Sequence, residues 1–319
     1  VTTPFSFGKF RGLQRIASPR GTITTLALDH RQNLRRALNP ANPDSVTDAD
    51  LTCFKLEVTA ALAQDATSVL LDPEYSAAQA LAAGIIPPAT GLVVALEATG
   101  YNGEPTARRA QILPGWSVAQ AKRMGADAVK LLVYYHPHAA TAPAIETFVA
   151  EVAADCYTHE IPLMLEPLAY SLSAQPLPPA EKRYVVVETA RRLTPLGADL
   201  LKAEFPPAPE GEWAEACAEV SAASVCPWIL LSGAVDFEVY VRQVEAACGA
   251  GASGVAVGRA VWQEAVGMSP SARAAFLQGT ARARLARLTT LCTARARPWA
   301  DFASSSVGVS EIICEVWPK

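Results

Sequence analysis

Gly197-Ala198-Asp199-Leu200-Leu201-Lys202-Ala203-Glu204-Phe205-Pro206 is a short apolar run that starts after a glycine and carries a lysine in its middle. Two-residue alternation puts Leu200, Lys202 and Glu204 on one face of a strand, and Leu201, Ala203 and Phe205 on the other. A similar opening recurs at Gly125-Ala126-Asp127-Ala128-Val129-Lys130, again with a lysine inside an apolar run. In both places a glycine at a helix C-terminus launches the next strand, which is the signature of a repeated βα unit. Working outward, β-type runs fall at 22–28, 68–71, 92–96, 128–134, 161–165, 199–204, 228–231 and 254–257. Helix-type segments follow at 47–64, 76–83, 117–124, 144–157, 180–193, 211–223, 237–250 and 260–266. Eight alternating units in a chain without a linker predict a (β/α)8 barrel, with a doubly wound open sheet as the alternative. The expected organisation is one domain over 1–319, with the barrel at about 21–267 and a C-terminal helix and apolar tail at 268–319.

Composition narrows the function. The 319 residues are 50% hydrophobic and 18% charged, with a net charge of −4, which fits a packed enzyme and gives no support for nucleic-acid or anionic-membrane binding. Seven scattered cysteines without a CxxC pair suggest reduced thiols, neither a disulfide framework nor a zinc site. With no signal-like N-terminus and no long apolar run, a soluble cytoplasmic protein is expected. Gly249-Ala250-Gly251-Ala252-Ser253-Gly254 spells GxGxxG, but it follows a helix and precedes a strand, the reverse of a dinucleotide site. The tail residues Trp299, Phe302, Ile312, Ile313 and Trp317 are expected to pack on the barrel or on a second subunit, so a homo-oligomer is anticipated.

A barrel builds its active site at the C-terminal ends of its strands. Those ends carry Asp29-His30-Arg31, Asp72-Pro73-Glu74, Glu97, Lys130 (within its run), Glu166, Lys202 with Glu204, Ser232-Gly233 and Gly258-Arg259. Every run therefore delivers polar groups to one rim. A lysine in an apolar strand must find a partner or lose its proton, because burial disfavours the charged form. An exposed lysine is a free amine only about once in 2,500 molecules at pH 7, and lowering its pKa by roughly three makes it a nucleophile. The plain alternative is pairing of Lys202 with Glu204; with Glu166 as the lysine's carboxylate, Glu204 is expected instead to serve the strand end or its hydrogen bonding. Lys130, two strands away, and Glu166, on the strand between, favour a catalytic Lys202, since a second ammonium discourages protonation and a carboxylate carries protons. At the last two strand ends, Ser232, Gly233, Gly258 and Arg259 suggest a phosphate grip. His136-Pro137-His138 reads as a loop pair, because no third ligand is specified. Asp29, Glu74, Glu97 and Glu166 could instead hold a divalent cation, although the two lysines compete for the same carboxylates.

These residues carry a family resemblance. Leu70-Leu71-Asp72-Pro73-Glu74-Tyr75, Ala98-Thr99-Gly100-Tyr101, the Lys130 run through Tyr135, Leu200 to Glu204, and Gly251-Ala252-Ser253-Gly254 through Gly258-Arg259-Ala260-Val261-Trp262 resemble the class I tagatose 1,6-bisphosphate aldolases and the related sulfofructose-1-phosphate aldolases. The resemblance implies a TIM barrel and a carbon–carbon lyase of carbohydrate metabolism. It assigns Lys202 as Schiff-base lysine, Lys130 and Glu166 as its companions, and Asp29, His30 and Arg31 as substrate contacts. Ser232, Gly233, Gly258 and Arg259 then hold phosphate. The implied substrate is a phosphorylated ketose cleaved to dihydroxyacetone phosphate and an aldehyde, without a metal or other cofactor. Departures are His30 in place of the family's glutamine, the His136 loop in place of a more acidic stretch, and an unmatched tail. Two other readings remain at this stage: a metal-dependent lyase using Asp29, Glu74 and Glu166, and a non-catalytic sugar-phosphate sensor.

Overall fold

The computed structural model describes residues 6–173 and 175–303. Eight parallel strands pair in sequence order and close, β8 on β1, into a barrel. They are β1 Ile23–Ala27, β2 Ser68–Leu71, β3 Gly91–Ala95, β4 Ala128–Tyr135, β5 Leu163–Ala169, β6 Leu200–Ala203, β7 Trp228–Leu231 and β8 Gly254–Val257. The helices are α1 Phe7–Ile16, α2 Gln32–Leu38, α3 Asp48–Leu62, α4 Ala77–Ala82, α5 Val118–Met124, α6 Ala142–Thr158, α7 Pro179–Leu193, α8 Trp213–Ala223, α9 Phe237–Gly249, α10 Arg259–Trp262, α11 Pro270–Phe276, α12 Arg282–Arg295 and α13 Ala300–Ala303. A π-helical segment, Leu277–Ala281, joins α11 to α12, so the expected C-terminal helix forms one extended helical arm. Its Arg282, Arg284 and Arg287 pair with Asp65, Glu264 and Glu238. No helix among the described residues is long and apolar enough to cross a membrane.

The strands are buried on both faces because helices cover one side and the barrel fills the other. Alternate residues separate into two apolar groups. Leu26, Val129, Leu131, Leu165, Leu201 and Val255 pack outward on the helices, while Ile23, Ala27, Leu70, Val93, Ala128, Met164, Leu200, Ile229 and Ala256 fill the interior. Leu13 and Ile16 of α1, together with Trp299, plug the N-terminal end of that interior core. Trp299 therefore packs on the barrel; Ile312, Ile313 and Trp317 lie outside the described residues.

The two Gly-Ala-Asp repeats have a structural cause. Gly125 and Gly197 take left-handed φ values of 98° and 106° after their helices, a conformation that costs glycine little. Each aspartate then accepts from the first residues of the preceding strand: Asp127 from Leu92 N and Asp199 from Leu163 N, both at 2.8 Å. Asp199 also meets the buried Lys9 of α1 at 2.8 Å, which ties the plug to the sheet. The GxGxxG string closes α9 and enters β8, as its context implied.

Most expected boundaries shift by only one or two residues. β5 begins at Leu163, later than 161, and runs on through Pro167. Beyond Leu165 its pairs are with β4 alone, so Pro167 withholds its missing N–H from a ladder that has already ended on the β6 side. The helix expected at 260–266 is one α-turn followed by 3-10 turns. Helices α1 and α2 were not anticipated.

Candidate active site

Register decides which polar groups meet. On β4, Ala128 faces inward, so Lys130, Leu132 and Tyr134 follow it; on β5 and β6 the same alternation from Met164 and Leu200 turns Glu166 and Lys202 inward. Asp29 and Glu97 extend the inward rows of β1 and β3 past their last strand residues. All five converge near the C-terminal rim and are almost fully buried, with side-chain exposures of 1–10%.

Lys130 Nζ is the centre of the group. It lies 2.7 Å from Asp29 Oδ2, 2.6 Å from Glu97 Oε1 and 2.8 Å from Glu166 Oε2. Burial alone pushes its pKa down, but the charges of Asp29, Glu166 and Glu97 overrule this and hold it well above the ordinary lysine value. Lys202 Nζ has Glu166 Oε1 at 2.8 Å and no other carboxylate within ion-pair distance among the described residues. Its register partner on β7 is Ile229, an apolar wall. The two lysines thus differ in their surroundings: one is locked among three carboxylates, the other touches one that is shared.

Burial would raise the Glu166 pKa, but Lys130 and Lys202 bring it below its ordinary value, so it stands as a carboxylate. Its Oε2 makes the ion contact with Lys130 off the hydrogen-bond direction and is otherwise unpartnered. Asp29 is likewise opposed by burial and held well below its usual range by Lys130, Lys202 and His30. His30 stands edge-on to Trp262, with Nδ1 4.0 Å from Asp29 Oδ1 and without a hydrogen bond. Burial, aided by Arg259 and Lys202, lowers its pKa to about 4 against the pull of Asp29, so it is neutral at pH 7. Arg31 is turned into the rim, where its donors are taken by Glu74 Oε2 at 2.7 Å and the Glu97 carbonyl at 2.6 Å.

Glu204 takes a different partner from the one its alternation suggested. Beyond the end of β6 it accepts from Ala169 N at 2.6 Å and pairs with Lys182 at 2.6 Å, binding the β5 and β6 ends together. Tyr135 faces outward and donates to Glu146, so the inward tyrosine of β4 is Tyr134. His136 and Glu181 approach at 3.3 Å, and His138 stacks on Tyr184. That histidine pair is a packed loop, apart from the lysine centre.

The β7 and β8 ends come together as the sequence implied. Ser232 Oγ accepts from Gly258 N at a long 3.5 Å, and Gly233 and Ala234 are both left-handed, with φ of 55° and 60°. Gly258 has no room for a side chain, since a Cβ there would lie 2.9 Å from the Ala27 carbonyl oxygen. Arg259, part-buried, makes no ion pair among the described residues and lines an open cavity of about 560 Å³ with Val235, Ala260 and Gln263. Lys202 does not line that cavity; it lies deeper, inside the barrel.

Sequence reading missed Tyr134, although its place four residues after Lys130 was available as a signal. It also missed Arg108, in the long 96–117 connection, where no periodicity exists. Lys55 of α3, fully buried against Asp72, had no local signal either.

Comparison with known proteins agrees with this geometry. The profile of the DeoC/LacD family of aldolases matches residues 23–264. Tagatose 1,6-diphosphate aldolase of Listeria monocytogenes serotype 4a is 31% identical over 81% of this chain and 82% of its own. Tagatose 1,6-diphosphate aldolase 2 of Enterococcus faecalis is 29% identical over 92% and 96%. Among solved structures, an archaeal fructose 1,6-bisphosphate aldolase superposes with a TM-score of 0.60 at 22% identity, covering 89% of this chain and 98% of its own. Fructose-bisphosphate aldolase of Plasmodium falciparum does so with a TM-score of 0.72 at 12% identity, covering 92% and 98%; both establish likeness of fold. The chain belongs to the DeoC/LacD family of aldolases, which are carbon–carbon lyases.

Proposed function

We propose that the protein is a class I aldolase that cleaves a phosphorylated ketose, of the tagatose 1,6-bisphosphate type, through an imine on Lys202. The observation that carries this is the unequal treatment of two buried lysines by one carboxylate. Lys130 is fixed as an ammonium by three anions, whereas Lys202 shares only Glu166, at 2.8 Å, and faces Ile229 on its other side. The names of the curated relatives support the substrate class.

In the mechanism, the Lys202 amine adds to the C2 ketone, and loss of water gives a protonated imine. Glu166, held ionised, accepts the C4 hydroxyl proton. The C3–C4 bond breaks, its electron pair moves into the imine to form an enamine, and the aldehyde leaves. Glu166 then returns its proton to C3 of the enamine, and hydrolysis releases dihydroxyacetone phosphate and the free amine. The fixed Lys130 charge keeps Glu166 and Asp29 ionised and oriented. Ser232, Gly233, Gly258 and Arg259 receive the C1 phosphate, whose dianion matches a guanidinium that makes no ion pair among the described residues.

A metal-dependent reading is disfavoured by the donors themselves, because Asp29, Glu97 and Glu166 already focus on an ammonium. The test is incubation with dihydroxyacetone phosphate followed by borohydride reduction and peptide mapping. A reduced adduct on Lys202, with cleavage unaffected by EDTA, supports the proposal. Folded, saturated protein without that adduct overturns it, and binding without turnover identifies a sensor.

A further inference from the structure

The connection from β3 to α5 rises over the barrel mouth as a small antiparallel arm. Asn102 and Arg109 exchange both backbone hydrogen bonds, at 2.9 and 2.8 Å, and Ala98 N and Leu113 N bind Gln111 O and Leu96 O at 2.9 Å each. Near the tip of this arm, Arg108 enters a cage of three tyrosines. Its guanidinium lies 4.4 Å from the Tyr101 ring centre, 4.8 Å from Tyr170 and 5.0 Å from Tyr134. Each tyrosine comes from a different element: the arm itself, the segment after β5 and the end of β4.

This cation has no carboxylate partner among the described residues; its Nε donates to the Pro105 carbonyl at 3.0 Å. That bond leaves both terminal nitrogens, the pair that binds an oxyanion, without a hydrogen-bond partner among the described residues. Aromatic faces position a guanidinium without neutralising it. Tyr134 connects the cage to the reacting centre, for it shares the inward row of β4 with Lys130, and its hydroxyl feels the charges of Arg108, Lys130 and Glu166 together. A second arginine without an ion pair among the described residues, Arg259, begins past β8, four strands around the closed ring from β4. Arg31, by contrast, is fully engaged by Glu74 and Glu97. The two guanidinium groups thus belong to opposite arcs of the ring, Arg108 acting on Tyr134 and Arg259 on Asp29 and Glu166.

We propose that Arg108 is a specificity-determining residue that binds a second tetrahedral oxyanion, phosphate or sulfonate, at the end of the ketose remote from C1. This rests on the aldolase reading above and narrows it to substrates with an anion at both ends. Glu166 removes the C4 proton from the same side of the barrel as the Arg108 cage, so the C4–C6 half of an extended substrate runs toward it. The aldehyde product accordingly carries the second anion.

The test compares Arg108→Gln and Arg108→Lys with the unaltered protein in steady-state cleavage of tagatose 1,6-bisphosphate, tagatose 1-phosphate and 6-deoxy-6-sulfofructose 1-phosphate. Thermal unfolding controls for folding. Loss of one charge-assisted oxyanion contact corresponds to roughly 10–100-fold. The preference for the doubly anionic over the singly anionic substrate should fall by about that factor in Arg108→Gln, mainly through KM, with partial recovery in Arg108→Lys. A larger fall with the bisphosphate assigns phosphate, and a larger fall with the sulfonate assigns sulfonate. An equal loss on all three substrates, or no loss, overturns the proposal and makes Arg108 a pin for the arm. Borohydride trapping on the unaltered protein separates the two levels: an adduct on Lys202 with no Arg108 selectivity sinks only this inference, and no adduct sinks the aldolase reading beneath it.

Discussion

Replacing Lys130 by methionine removes the ammonium that Asp29, Glu97 and Glu166 share, at 2.6–2.8 Å. What remains near these three buried carboxylates is Lys202, 2.8 Å from Glu166, and Arg31, 3.8 Å from Glu97 and already committed to Glu74. Breaking a buried ionic network on one side costs about 3–5 kcal/mol, because the partners keep their desolvation without the compensating charge. At about 2 °C per kcal/mol for a chain of this size, the midpoint of thermal unfolding at pH 8 should fall by roughly 6–10 °C. The pH dependence gives the stricter check. In the unaltered protein Asp29 and Glu166 have lowered pKa values, so their stabilising effect is full above the unfolded carboxylate range and is lost only below it, and these two groups add no slope between pH 8 and 5. In the variant, burial without Lys130 raises the carboxylate pKa, so the folded state binds a proton that the unfolded chain does not. Each pH unit spanned in that condition returns about 1.4 kcal/mol, and the deficit should shrink markedly between pH 8 and 5. Scanning calorimetry at both pH values decides it. Equal midpoints at pH 8, or a deficit that ignores pH, would falsify the picture of a charged cluster held by one ammonium.

Lys202→Met should abolish borohydride trapping and reduce cleavage to background while leaving the unfolding midpoint within a few degrees, since only one ion pair is lost; a trapped adduct on this variant would move the imine to another lysine. Glu166→Gln should lower kcat by about 10²–10⁴-fold with little change in KM, measured by coupled assay, because proton transfer and not binding is removed. His30, neutral with a pKa near 4, should bind protons only in the unfolded chain between its ordinary value of 6.5 and 4. Its contribution to stability is therefore complete above that window and declines as pH falls through it. His30→Gln should flatten the stability curve there, and an unchanged curve refutes the assignment.

The barrel was legible because each strand is apolar on both faces and each is followed by a helical period, a local signal repeated eight times. The site was legible because Lys130, Glu166 and Lys202 interrupt those runs, and a polar residue inside an apolar strand is conspicuous in one dimension. What escaped depends on distant partners. Helix α1 buries Lys9, which makes sense only beside Asp199, 190 residues away. The inward parity that starts at Ala128 selects Tyr134 of the Tyr134-Tyr135 pair, which the sequence string alone does not distinguish. Arg108 sits in a connection without period, and its cage is assembled from three separate elements.

Two lysines of the same type, both inside strands of one barrel, are given different work by the number of carboxylates aimed at them, and that difference can be engineered. Lys202 stands beside Ile229 in the β6–β7 register, and Ile229 is fully buried. Adjacent strands are about 4.8 Å apart, so an aspartate at 229 places a carboxylate roughly 5 Å from the amine. With an effective dielectric of about 20 the attraction is about 3 kcal/mol, equivalent to roughly a 100-fold change in the amine fraction, before relaxation reduces it. Ile229→Asp should therefore slow borohydride trapping at pH 7 by about 10–100-fold relative to Ile229→Asn, which has nearly the same shape and no charge. Comparing the two variants with each other cancels the packing cost of losing isoleucine, and circular dichroism verifies that both are folded. Equal trapping rates at pH 7 would show that the sparing of Lys202 from a second carboxylate has no bearing on its reactivity.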